Sequence, residues 1–197
     1  MNIQPLNLDK LNMKKTILQF AGAAMFLFAV SACKKDKTED PAPTNQGEVI
    51  TTMKLIITDG FTAPDTVTFY DPDGAGGTAA TKDSIILDNT NFYVMEVLLL
   101  NETASPVDTI SSEVEDEGVQ HQFVYTPAPA SNFMTTSLYD QDLNGEDLGL
   151  SCNLNTGGAG KGSFRVQLRH YNSETDKINQ TSNYSTDIDV TFGVRLK

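Results

Sequence analysis

The chain has 197 residues and a formal net charge of −12 at pH 7, from 26 acidic and 14 basic side chains. That balance excludes nucleic acid as a ligand, because phosphates demand a basic footprint, and it opposes docking on anionic lipid headgroups. With two histidines, two cysteines and no tryptophan, the residues able to ligate a soft metal or act as nucleophiles are few enough to be taken one by one.

Lys14 and Lys15 open a stretch in which Ile17 to Val30 is apolar apart from Gln19. The run is too short to cross ~30 Å of hydrocarbon as a helix, which takes roughly 20 residues. A basic flank, a short apolar centre and a small-residue end are the pattern of a secretory signal. Residues 1–12 lack that character, which makes Met13 an alternative start of translation. Val30-Ser31-Ala32-Cys33 resembles the lipobox of bacterial lipoproteins. The resemblance implies a signal peptide over residues 1–32, cleavage before Cys33, and attachment to the membrane through a lipid anchor on Cys33. Two or more acyl chains give stable anchoring where one does not. Residues 33–48, "CKKDKTEDPAPTNQGE", are charged, carry two prolines and offer no large apolar side chain. They read as a flexible tether that cannot bury enough surface to fold. Lys34 stands where an aspartate would suggest inner-membrane retention, and the charged stretch resembles surface-export tags, so the expected location is the outer membrane. With Cys33 acylated, Cys152 has no partner for a disulfide and reads as a small buried hydrophobe.

Residues 49–197 read as one domain built of short alternating runs cut by Gly, Pro, Asn and Asp. "VITTMKLIIT", "TVTFY", "SIILD", "HQFVY" and "FMTTSLY" are strand candidates rich in β-branched and aromatic residues. "NFYVMEVLLLN" is more continuous, which suggests a central strand, with a short helix as the rival reading. "SFRVQLRH" places Phe164, Val166 and Leu168 on one face, and "DIDVTFGVRL" does the same with Ile188, Val190, Phe192, Val194 and Leu196. About eight such strands predict an all-β fold, an antiparallel immunoglobulin-like β-sandwich. "DPDGAGG" and "NTGGAGKG" supply the positive-φ positions of tight connections, and the second is expected to be a hairpin. It is not a phosphate loop, because Gly162 follows Lys161 where Ser or Thr is required and a strand follows where a helix should start. The acidic run Glu113–Glu117 is expected to be a solvated loop, with collection of cations as the sharper alternative.

"GEVITTMKLIITDG", "EVEDEGVQHQFVY", "YDQDLNGEDLGL", "GKGSFRVQLRHYN" and "TDIDVTFGVRL", in that order, resemble a family of small secreted lipoproteins of outer-membrane bacteria. Its members are often encoded beside TonB-dependent receptors and often labelled a type 1 periplasmic binding fold. The resemblance spans essentially the whole domain after the tether. It implies an envelope location and a TonB-dependent receptor as a partner. The two-lobed α/β architecture of that label is not what this chain's pattern predicts.

Alternation puts His121 on the face of Phe123 and Tyr125, and His170 on that of Phe164, Val166 and Leu168. Both imidazoles should therefore point inward, where each needs a polar partner. One reading is a pair of structural histidines, touching each other; the other is a transition-metal site completed by Glu117, Asp116 or Cys152, with Glu117 the first candidate. Separately, Asp140, Asp142, Asn144 and Gly145 match the opening of a calcium loop, D-x-[DN]-x-[DN]-G, although Ser151 stands where the closing glutamate belongs. The plain alternative there is an Asx-rich turn between two strands. For catalysis the sequence offers no GxSxG, no HExxH and no nucleotide loop. The expectation is therefore a non-enzymatic, lipid-anchored binding or accessory protein of a TonB-dependent receptor, binding a metal or its chelate. The alternatives are a structural or adhesive surface domain stabilised by calcium, and a hydrolase built on Cys152 or paired acids.

Overall fold

The computed structural model describes residues 48–74, 77–138 and 140–197. The signal segment, Cys33 and the tether as far as residue 47 lie outside the described residues, as does Tyr139.

The β-rich alternation resolves into ten strands and two short helices among the described residues. In chain order these are β1 (Thr52–Thr58), β2 (Asp65–Tyr70), β3 (Thr81–Lys82), β4 (Ser84–Leu87), β5 (Phe92–Leu100), α1 (Ile110–Asp116), β6 (His121–Ala128), β7 (Met134–Leu138), β8 (Ser151–Thr156), β9 (Gly160–Tyr171), α2 (Glu174–Ile178) and β10 (Tyr184–Leu196). They form a β-sandwich. One sheet runs β3-β2-β1-β5-β8-β7 and the other β4-β10-β9-β6. The inward faces are those the alternation predicts: Phe164, Val166 and Leu168 on β9, and Ile188 through Leu196 on alternate positions of β10, all bury. From the opposing sheet Leu55, Ile57, Met95, Leu99 and Leu154 complete the core. Burying a side chain of this size is worth roughly 1.5–3 kcal/mol, so two apolar faces meeting decide the fold.

"NFYVMEVLLLN" is a strand, β5, and it lies inside the six-stranded sheet between β1 and β8. Three features depart from the sequence expectation. First, the sandwich is mixed: β4 lies parallel to β10, with Ile85 opposite Val194. Asp83 separates β3 in one sheet from β4 in the other, so the chain changes sheets in a single residue, and four residues were too few to reveal direction. Second, "NTGGAGKG" is no hairpin. It carries the chain from β8 in one sheet to β9 in the other. Gly162 is needed there, because a Cβ would collide with the Ala128 carbonyl and the Phe133 ring. Third, the acidic run is helical. Ile110 and Val114, one turn apart, bury against the core while the acids between and beyond them face water. Ser111 ties this helix to β5 by accepting the Leu99 N–H at 2.6 Å.

Candidate metal centre

His121 and His170 are direct cross-strand partners on β6 and β9. Their rings tilt against each other with centroids 4.2 Å apart. His121 is fully buried and His170 is 9 % exposed. Both therefore face inward as alternation requires, and they touch.

Two carboxylates join them, and neither is Glu117. Asp187 enters from β10. Thr186 pairs with Arg169 and Ile188 with Leu168, so Asp187 is the extra residue of a β-bulge. A bulge re-aims the side chain that it inserts; here the Asp187 side chain is only 2 % exposed. Glu48 enters from the segment before β1, which composition assigns to the tether. That segment is held to the sandwich just downstream, where Thr51 donates from both its N–H and its hydroxyl to the Leu100 carbonyl. His121 Nε2 stands 3.2 Å from Glu48 Oε1 and 3.7 Å from Asp187 Oδ2, and His170 Nδ1 stands 3.9 Å from Asp187 Oδ2. One ligand atom from each of Glu48, His121, His170 and Asp187 fits within 4.8 Å of all the others. The cluster thus joins three adjacent strands of one sheet to the chain entering the other.

Glu117 acts through its backbone. Its carbonyl lies 3.1 Å from His121 Nδ1, and a carbonyl can only accept, so Nδ1 carries the proton. In the neutral ring this leaves the Nε2 lone pair facing the two carboxylates. A histidine whose far nitrogen donates to a carbonyl is the arrangement typical of a metal ligand. The Glu117 and Asp116 carboxylates are exposed and outside the cluster. Cys152 is outside it too: it is buried on β8 between Met95 and Leu138, and burial pushes its thiol up to about 12.

Burial and the charges of their neighbours shift all four groups of the cluster. Burial alone would lower the His121 pKa, and the Glu48 carboxylate beside it reverses this, leaving it raised. His170 is lowered, first by burial and then by the charge of His121. Asp187 is pushed up to about 7 by burial and by the charge of Glu48. Glu48 is held low against its own burial by the two histidines. Five buried side-chain polar atoms among the described residues have no hydrogen-bond partner, and four of them belong here: Glu48 Oε2, His121 Nε2, His170 Nδ1 and Asp187 Oδ2. His121 Nε2 is close to Glu48 but outside hydrogen-bond geometry. A proton on Nε2 would still leave His170 Nδ1 without a partner. Buried polar atoms without partners cost several kcal/mol, and four side chains that each present one at the same place could hold a shared cation. Two imidazoles with two carboxylates suit zinc and its neighbours far better than calcium, which takes oxygen ligands only.

The Asp140–Asn144 loop joins the paired strands β7 and β8, as the Asx-turn reading requires. Three of its carboxylate oxygens are already engaged. Asp142 Oδ1 accepts from the Asn144 and Glu146 N–H groups at 2.8 and 3.0 Å, and Asp140 Oδ1 accepts from the Gly149 N–H. Asp142 Oδ2 pairs at 2.7 Å with the Lys177 ammonium, which also donates to the Gly118 carbonyl and is fully buried. Lys177, on α2, thus places an ammonium against Asp142, one of the candidate calcium ligands.

Comparison with protein-family models, curated proteins and solved structures found no match for the chain.

Proposed function

We propose that this chain is a lipid-anchored binding module of the bacterial outer membrane that holds a divalent transition-metal ion at Glu48, His121, His170 and Asp187. The observation that carries the metal reading is the convergence, from four separate segments of chain, of four ligating side chains that each hold a buried, unpartnered polar atom. The envelope location is supported by the resemblance of Val30–Cys33 to a lipobox. The resemblance of the whole domain to receptor-linked lipoproteins supports a TonB-dependent receptor as the partner to which the module delivers, or for which it retains, its ion. Its role is binding and not catalysis.

Two arms test the reading. Full-length protein stripped with chelator and titrated with zinc should take up one equivalent, and the double variant His121→Ala/His170→Ala should take up none; equal uptake by both would refute the site. Affinity capture from detergent-solubilised outer membrane should recover a TonB-dependent receptor, and repeated capture without one would refute the partnership.

A further inference from the structure

We infer that the centre is a closed, all-protein shell for a bare divalent ion, with no position left for a chelator, a substrate or a metal-bound nucleophile. The inference rests on the metal reading above and narrows it to one class of cargo, the free ion.

Three features of the geometry support it. The ligand count is already complete: each of the four side chains presents one buried atom with no other partner. A tetrahedral shell with bonds of about 2.0–2.1 Å spaces its donors about 3.3 Å apart. Asp187 Oδ2 lies 3.7 and 3.9 Å from His121 Nε2 and His170 Nδ1, His121 Nε2 lies 3.2 Å from Glu48 Oε1, and one donor from each residue falls within 4.8 Å of all the others, so side-chain rotation, including a turn of the Glu48 carboxylate, closes the shell. Access is closed as well. Side-chain exposure is 0 % for His121, 2 % for Asp187, 11 % for His170 and 13 % for Glu48, and Glu48 Oε2, His121 Nε2, His170 Nδ1 and Asp187 Oδ2 lie out of reach of water. An open metal site keeps a position for water or substrate; a site with four buried protein ligands does not.

Charge sets the valence. Two carboxylates and two neutral imidazoles sum to −2, so a divalent ion gives a neutral buried cluster. A monovalent or trivalent ion would leave net charge in the interior, which is costly. A groove large enough for a small organic chelate does exist, with about 350 Å³ between β2 and β4 lined by Ile57, Val67, Asp65 and Asp83, but it contains none of the four ligands.

Cobalt(II) tests this directly, because its visible spectrum reports coordination number. Full-length, chelator-stripped protein should bind one equivalent of cobalt with the intense visible bands of a four-coordinate ion. A large excess of azide, a small probe of open coordination positions, should leave those bands unchanged. The pale spectrum of six-coordinate cobalt, or bands that move on adding azide, would overturn the closed shell while leaving the metal site standing. Failure to bind cobalt at all would overturn both this inference and the metal reading beneath it.

Discussion

Replacing Lys177 with methionine removes a buried ammonium and keeps most of its hydrocarbon stem, so the change isolates the charge. In the folded protein that ammonium bonds the Gly118 carbonyl and Asp142 Oδ2, both at 2.7 Å, with the paired side chains 0 % and 1 % exposed. In the variant Asp142 Oδ1 retains its two backbone donors and the Gly118 carbonyl keeps the His121 N–H at 3.1 Å, while Oδ2 loses its donor. Breaking a buried ion pair from one side costs about 3–5 kcal/mol. Because the neighbouring Leu143 is 94 % exposed, the turn can open to water, which places the expected loss near the lower end, about 3 kcal/mol. For a domain of this size each kcal/mol moves the melting temperature roughly 2–4 °C, so Tm should fall by about 6–12 °C. Burial opposes ionisation of Asp142, yet the hydrogen bonds from Lys177 and the turn hold its pKa below the ordinary 3.8. The stability that the depressed pKa contributes is therefore present above that ordinary value and is lost as pH falls through the lowered folded value; Lys177→Met should weaken this acid-side dependence. Thermal and urea unfolding followed by circular dichroism in chelator, on Lys177→Met, Asp142→Ala and the double variant, measures both the loss and the coupling. Single variants within about 0.5 kcal/mol of the parent would refute the reasoning, since that is the behaviour of a solvent-exposed pair.

In chelator, the raised pKa of Asp187, about 7, means that the folded state holds a proton which the unfolded state releases, costing stability as pH rises from about 4 through 7, and the raised pKa of His121 adds a like loss that begins only above its ordinary value of 6.5. Zinc needs the same ligands deprotonated, so the gain in Tm on adding zinc should grow between pH 5 and pH 8; a flat or falling gain would contradict the ligand set. Millimolar calcium should leave the Tm of the parent protein unchanged, and a rise would restore the Asp140–Asn144 loop as a calcium site. Cys152, fully buried with its thiol raised to about 12, should resist thiol reagents until the protein is unfolded; rapid labelling of native protein would show that β8 is accessible. Gly149→Ala places a Cβ 2.9 Å from that of Phe123 at φ +89° and should cost about 1–3 kcal/mol by thermal melting.

Strict alternation in "HQFVY" and "SFRVQLRH" makes the inward direction of both histidines legible, and the structure pairs them across β6 and β9. The two carboxylates were hidden for separate reasons. Counting back from Ile188 by twos sends Asp187 outward, and only the bulge between Thr186 and Ile188 turns it in. Bulges leave no mark in a period-two pattern when the extra residue is polar. Glu48 ends a charged segment with no periodicity, and only the fixing of Thr51 against Leu100 makes it part of the domain. The sequence offers the Glu117 carboxylate as a ligand, whereas it is the Glu117 carbonyl that orients His121. Lys177 is not legible in the sequence because α2 has five residues, too few for a helical stripe, and nothing local announces that its ammonium reaches a turn 35 residues earlier. Locally periodic features can be read from the sequence here; partners brought together by bulges, turns and sheet changes cannot.

Anomalous diffraction from zinc-loaded crystals, recorded on either side of the zinc absorption edge, locates the ion without assumption. The account predicts one strong peak bonded to His121 Nε2 and His170 Nδ1 and flanked by the Glu48 and Asp187 carboxylates. A peak anywhere else, such as the Asp140–Asn144 loop or the exposed acids of α1, or no ordered peak in protein that retains zinc, would contradict it.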